Sequence, residues 1–150
     1  MKLRLFVVGR MVPELAEYEA RFRKRLSSAP CSLQVIELPE GRSKQLAQRK
    51  QEEEKHILKV VKAGFILFDE RGKQLLSKQW AVYLQQLVGN AEQDFVIGGA
   101  AGVSDAVRAK AAQTWGLSML TLPHQLARVM VVEQLYRAWS IMQGHPYHRE

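Results

Sequence analysis

The segment GFILFD (Gly64 to Asp69) places four apolar residues in succession and then stops at a carboxylate. A run this short cannot build a helical stripe, and its lack of alternation requires both of its sides to be hidden from water. It therefore reads as a strand in a sheet covered on both faces. DFVIGG (Asp94 to Gly99) has the same character and ends in paired glycines. LRLFVV (Leu3 to Val8), bounded by Gly9, and SLQVIEL (Ser32 to Leu38) read as two further strands, and LSMLTL (Leu117 to Leu122) as a fifth. Helical periodicity fills the gaps. After Pro13, Leu15, Phe22 and Leu26 recur at helical spacing. Beyond the turn PEGRSK, Ser43 is expected to cap a charged helix running toward Val61. ERGK is expected to turn the chain, with Ser77 capping a helix that carries Trp80, Leu84 and Leu87. Ser104 is expected to cap a short helix, and a long one spans Gln125 to Met142. Strands alternating with helices predict one α/β domain over residues 1–150, with a mostly parallel sheet flanked by helices on both faces.

Charge and cysteine content narrow the setting. The 150 residues carry a formal net charge of +7, which favours a polyanionic partner, nucleic acid or an anionic membrane surface. Cys31 is alone, so no internal disulfide can form and a reducing compartment is expected. The opening apolar run is too short for a signal segment or a membrane span. A soluble cytoplasmic protein is the expectation.

Four stretches carry residues suited to chemistry. In VIGGAAG (Val96 to Gly102), adjacent glycines after a buried strand either let the backbone approach a ligand closely or merely relieve a tight turn. The loop lacks the Gly-Lys-Ser/Thr of a phosphate loop and the spacing of a dinucleotide fingerprint. LSMLTLPH (Leu117 to His124) is expected to be a strand end carrying the hydroxyls of Ser118 and Thr121, with Pro123 stiffening the exit. Two such loops could together hold an adenosine-sized molecule. His124 is either a participant or a plain cap. The third stretch is the long helix. Glu133, Gln134 and Arg137 fall on one of its sides; Val131, Val132, Leu135, Ala138, Trp139 and Met142 fall on the other. Arg128 lies within the apolar side, where an unpaired guanidinium is costly. It must meet a carboxylate, backbone carbonyls or an anion such as phosphate, or else snorkel past the helix end. The apolar face suits a core and a subunit interface equally. The fourth stretch is the terminal GHPYHRE, with His145, Tyr147, His148 and Arg149: imidazoles, a ring for stacking and a phosphate-binding fork. His145 and His148 lack companions at metal-ligand spacing, so no metal site is expected.

IGGAAG, LTLPHQLARVMVVEQLYRAWSI and HPYHRE closely resemble the RlmH family, bacterial SPOUT-class methyltransferases that act on a pseudouridine of large-subunit (23S) ribosomal RNA. The likeness covers the full chain and is strongest from Val96 to Glu150. It implies a SPOUT-type α/β sheet with a deep C-terminal trefoil knot, a homodimer, and S-adenosylmethionine (SAM) held by the knotted loops. The implied SAM contacts are Phe68, Gly98, and Leu117, Ser118, Met119, Leu120, Thr121 and Leu122. Phe68 stands where the family usually has leucine and keeps an apolar wall there; Ala100 and Ala101 replace a pair that often includes a polar residue. The implied reaction is methyl transfer to N3 of the target base. His124, Tyr147, His148 and Arg149 are the expected catalytic set: an imidazole as base, Arg149 as electrostatic stabiliser and Tyr147 against the base. Arg128 and Arg149 are the expected RNA contacts, with the assembled ribosome as the expected substrate. Two other readings stay open at this stage. One is a non-catalytic RNA-binding or ribosome-associated module, the other a small-molecule enzyme using a nucleotide-like cofactor.

Overall fold

In the computed structural model, residues 1–28, 30–87 and 91–149 are described. The order along the chain is β1 (Lys2–Val8), α1 (Pro13–Arg25), β2 (Ser27–Ser28), β3 (Cys31–Leu38), α2 (Leu46–Val60), β4 (Ile66–Gln74), α3 (Ser77–Gln85), β5 (Glu92–Ile97), α4 (Asp105–Lys110), β6 (Gln113–Gly116) and α5 (His124–Met142). The sheet order is β2-β3-β1-β5-β4-β6. Five strands are parallel, and β2 adds a short antiparallel edge against β3.

The pleat sorts side chains into two cores. Leu3, Leu5 and Val7 of β1 face one layer, with Trp80 and Leu84 of α3, Phe22 of α1, and Val131, Val132, Leu135 and Ala138 of α5. Phe6 and Val8 face the other layer, with Ile57 of α2 and Val107 of α4. Helices thus cover both faces, as the unbroken apolar runs require. Chain direction reverses around β1: one crossover leads to β3, and the next leads across to β4, beyond β5. In open sheets that arrangement opens a crevice at the carboxyl ends of the strands.

Several expectations need correction. LSMLTL is not a strand. The edge strand is the preceding Gln113–Gly116, and residues 117–122 form an irregular loop. ERGK does not turn the chain: β4 continues through it to Gln74, with an irregularity between Phe68 and Lys73, both of which face Trp115. Gly72 is required there by proximity, because a Cβ would stand 2.4 Å from the Trp115 carbonyl carbon. Ser43 lies ahead of α2, accepting the Gln45 N–H and donating to Gln48, and Gln45 occupies the cap position without a side-chain bond. Ser77 opens α3 and donates to Gln134, while Leu76 holds the cap position. Ser104 does cap α4, accepting the Val107 N–H. Gly144 ends α5 at φ +66°, and the bonds Gly144 N–H to Ile141 and His145 N–H to Ser140 complete a Schellman motif.

Candidate active site

A cavity of about 500 Å³ opens beside the irregularity of β4 that follows Phe68, where β5 and β6 end, and it is walled by the loops that follow those two strands. That volume lies in the range of small-molecule sites. Of the expected contacts, Phe68, Gly98, Leu117, Ser118, Leu120, Thr121, Leu122 and His124 all line it. Met119 does not line it and is 92% exposed.

Each wall has a local cause. Phe68 ends the buried part of β4, stacked on Trp80 and Phe95 at centroid distances of 5.4 and 5.9 Å. That stack fixes the ring as a rigid apolar floor. The glycine loop is both a tight turn and a close approach. Gly102 N–H closes onto the Gly99 carbonyl at 2.9 Å, and Gly102 adopts φ +82°. A Cβ on Gly98 would meet Val103 Cγ1 at 2.6 Å. One on Gly99 would press on the Glu53 carboxylate at 3.0 Å. Neither position has room for a side chain beneath the cavity. Across from it, Ser118 Oγ accepts the Leu120 N–H and shapes the 117–122 loop. His124 begins α5 at the cavity wall. Its neighbour Gln125 anchors the helix start by accepting the Val12 N–H and donating to the Arg10 carbonyl.

Asp69 and Glu70 also line the cavity, and sequence reading passed over both. The signal was present: GFILFD ends its apolar run on a carboxylate, where the pairing of β4 becomes irregular. Burial pushes the Asp69 carboxyl upward, but Arg108 at 2.7 to 2.8 Å and the Arg71 N–H outweigh it and hold it below the usual carboxylate value.

Arg128 takes the carboxylate alternative. Its Nε and Nη2 donate to both oxygens of Glu19 at 2.7 and 3.0 Å, and its Nη1 donates to Glu37 at 2.6 Å. Burial opposes the charge, but these bonds win and hold the guanidinium above its ordinary value. Buried and bonded to carboxylates through all three nitrogens, Arg128 is not presented to a phosphate. Its expected role as an RNA contact is withdrawn.

The tail is held, but away from the cavity. Tyr147 donates to Glu133 at 2.9 Å, with its ring 4.8 Å from that of Tyr136. His148 Nδ1 lies 3.1 Å from Arg137, which itself binds Glu133 at 2.6 Å. Burial, followed by the Glu133 bond, pushes the Tyr147 hydroxyl up to about 12, so it stays protonated and can donate but not act as a base. Glu133 sits nine residues beyond His124 on α5, roughly 13 Å along the axis at 1.5 Å per residue. Within one chain, His124 and the tail therefore do not meet. Arg149 is exposed, and Glu150 lies outside the described residues.

Comparison with known proteins fits this geometry. Residues 1–148 match the family model described as "Predicted SPOUT methyltransferase". The chain belongs to this methyltransferase family. A protein of Hydrogenovibrio crunogenus named "Ribosomal RNA large subunit methyltransferase H" is 43% identical over the full length of both chains. One of the same name from Thiobacillus denitrificans is 40% identical, again over the whole of both. Among solved structures, a putative RNA methyltransferase from Bacillus anthracis superposes with a TM-score of 0.57 at 12% identity, covering 99% of this chain and 98% of that one. A probable methylase family protein from Haemophilus influenzae gives 0.55 at 14% identity, over 95% and 66%. At these identities the structural likeness speaks for the fold alone. Membership of a SPOUT methyltransferase family implies SAM as methyl donor, and the cavity suits it: a cradle that tolerates no Cβ, an aromatic floor and strand-end loops on two sides. Among the described residues, no group of three or more His, Cys, Asp or Glu side chains is placed to hold a metal. No described helix is long and apolar enough to cross a membrane.

Proposed function

We propose that this chain methylates N3 of a pseudouridine in large-subunit ribosomal RNA, using SAM, as a homodimer whose C-terminal part is threaded as a deep trefoil knot. The observation that carries the reading is the cavity between the Gly98 loop and the 117–122 loop. It is formed by a chain that aligns end to end with relatives named for this activity. The donor supplies a methyl group already activated by its sulfonium, so the protein's task is placement. The Gly98–Gly99 backbone and residues 117–122 hold the donor against Phe68. N3 loses its proton as the methyl group arrives, and His124 at the cavity wall is the group of this chain placed to take it. Tyr147, His148 and Arg149 complete the site from the partner subunit, with Tyr147 against the base and Arg149 stabilising charge on the flanking carbonyl oxygens. Two features support the crossing. The tail is docked on its own α5 rather than on its own cavity. Met119, Leu120 and Leu126 also stand exposed around the cavity mouth and the start of α5, an apolar surface for a second copy. Of the apolar α5 face, Val131, Val132, Leu135 and Ala138 are spent on the chain's own core, while Trp139 and Met142 are half-buried and leave part of that face for a partner. For the knot, the support is membership of the SPOUT family. The net charge of +7 suits the ribosome's RNA surface, in a cytoplasmic setting.

The test is methyl incorporation from labelled SAM into ribosomes that lack the modification, mapped to the nucleotide. Incorporation at N3 of a single pseudouridine is expected. RNA binding with no methyl transfer would return the chain to the non-catalytic reading.

A further inference from the structure

We infer that Glu53 is the buried counter-charge for the sulfonium of the methyl donor, making the cavity prefer the charged donor over its neutral thioether product; the inference rests on the donor reading above. Glu53 lies on α2, 3% exposed. Its Oε2 accepts the Gly41 N–H at 2.8 Å. Its Oε1 is the one buried side-chain oxygen or nitrogen among the described residues that lacks a hydrogen-bond partner. The other buried carboxylates are matched: Glu19 by Arg128, and Asp94 by Arg4 at 2.7 Å. No described cation pairs with Glu53. A desolvated carboxylate without a cation is a standing cost to the fold.

The position of that charge says what it is for. Gly99 separates Glu53 from the cavity: the carboxylate packs on the place where a Gly99 Cβ would be, with Oε1 at 3.0 Å and Oε2 at 3.3 Å. The cavity lies on the other side of the same loop. One layer of backbone therefore stands between the unmatched charge and the ligand. Within the cavity wall, Asp69 is already committed to Arg108, and Glu70 is exposed, where water screens it. A cation arriving in the cavity is what this arrangement lacks. Donor and product differ at the reacting centre by one methyl group and one positive charge, so a field of this sign favours capture of the first and release of the second.

Calorimetric titration of the full chain with SAM, S-adenosylhomocysteine and sinefungin tests the assignment, sinefungin carrying an ammonium in place of the sulfonium. Glu53→Gln keeps the shape and an acceptor for Gly41. It should weaken SAM and sinefungin by roughly tenfold, the scale of one buried charge acting through low-dielectric backbone. S-adenosylhomocysteine should stay within about twofold. Glu53→Asp should retain the preference for the charged ligands, and Glu17→Gln, at an exposed position of α1 away from the cavity, should leave it unchanged. Without ligand, Glu53→Gln should melt no lower than the wild type, because it removes an unmatched charge. Equal losses for all three ligands would overturn the assignment and mark Glu53 as a structural tie to the Gly41 turn. So would a Glu53→Gln chain that fails to fold. If the wild type bound neither SAM nor its product, the donor reading itself would fall, and this inference with it.

Discussion

Replacing Arg128 by methionine removes a charge that three elements share. Its side chain is 6% exposed, that of Glu19 is 2% exposed and that of Glu37 40%. The two carboxylates respond differently. Glu37 reaches water and rehydrates, so its share of the loss is small. Glu19 stays buried, with only Arg23 nearby at 3.5 Å. Breaking a buried pair costs about 3–5 kcal/mol, and the partial help from Arg23 points to the lower end, about 3 kcal/mol. For a chain of this size that is a fall of roughly 6–12 °C in melting temperature. Circular dichroism melts together with urea midpoints measure it. Glu37→Gln should cost less than about 1 kcal/mol. The double change Glu19→Leu/Arg128→Met should recover to within about 1 kcal/mol of wild type, because it removes both charges together. A single Arg128→Met variant melting within about 2 °C of wild type would refute the reasoning, as would a double variant no better than the single.

Gly98→Val should abolish SAM binding, since its first carbon already meets Val103 at 2.6 Å; unchanged affinity would move the site elsewhere. Deleting residues 147–150 should spare folding and SAM binding but remove methyl transfer. In a mixed dimer, one subunit lacking the tail and the other lacking the pocket, about half of wild-type activity should remain, because the intact pocket meets the partner's intact tail, whereas no activity would show that each tail serves its own subunit. The Tyr147 hydroxyl, raised to about 12, should add no tyrosinate absorbance near pH 10, and the difference spectrum against Tyr147→Phe shows whether it does. Asp69 is held below its unfolded value of about 3.9. Its stabilisation is therefore complete above that value and lost as pH falls through the folded one. Between about pH 5 and pH 3, wild type should lose more stability than Arg108→Met.

The sequence disclosed the strands whose side chains enter the cores and misplaced the one that barely does. GFILFD and DFVIGG are buried on both sides, so hydrophobicity alone marks them. In β6 only Trp115 and Gly116 are buried while Gln113 is exposed, so QTWG offers almost no pattern to read. The leucines of LSMLTL looked like a strand because they are apolar, yet Leu120 is 71% exposed and borders the cavity. Apolar residues meant for a ligand or a second chain are indistinguishable, in sequence, from those meant for a core. Arg128 shows the same boundary. Its need for a partner was legible from its place on an apolar face. That the partners are Glu19 and Glu37 depends on tertiary packing. Glu53 gave no signal, being one of three consecutive glutamates on a charged helix.

The Arg128 cluster also sets a timetable for the chain's synthesis. Glu19 waits 109 residues for its guanidinium. At translation rates of about 5–20 residues per second, that delay is roughly 5–20 s. Until α5 emerges, both glutamates keep their hydration shells, and only apolar contacts such as those of Phe22 hold α1 to the sheet. Strand β1 waits almost as long for β5, its neighbour on one side. The amino-terminal half can pair β1 with β3 early, but its buried ion pairs and the second neighbour of β1 are completed only when the carboxyl-terminal half arrives.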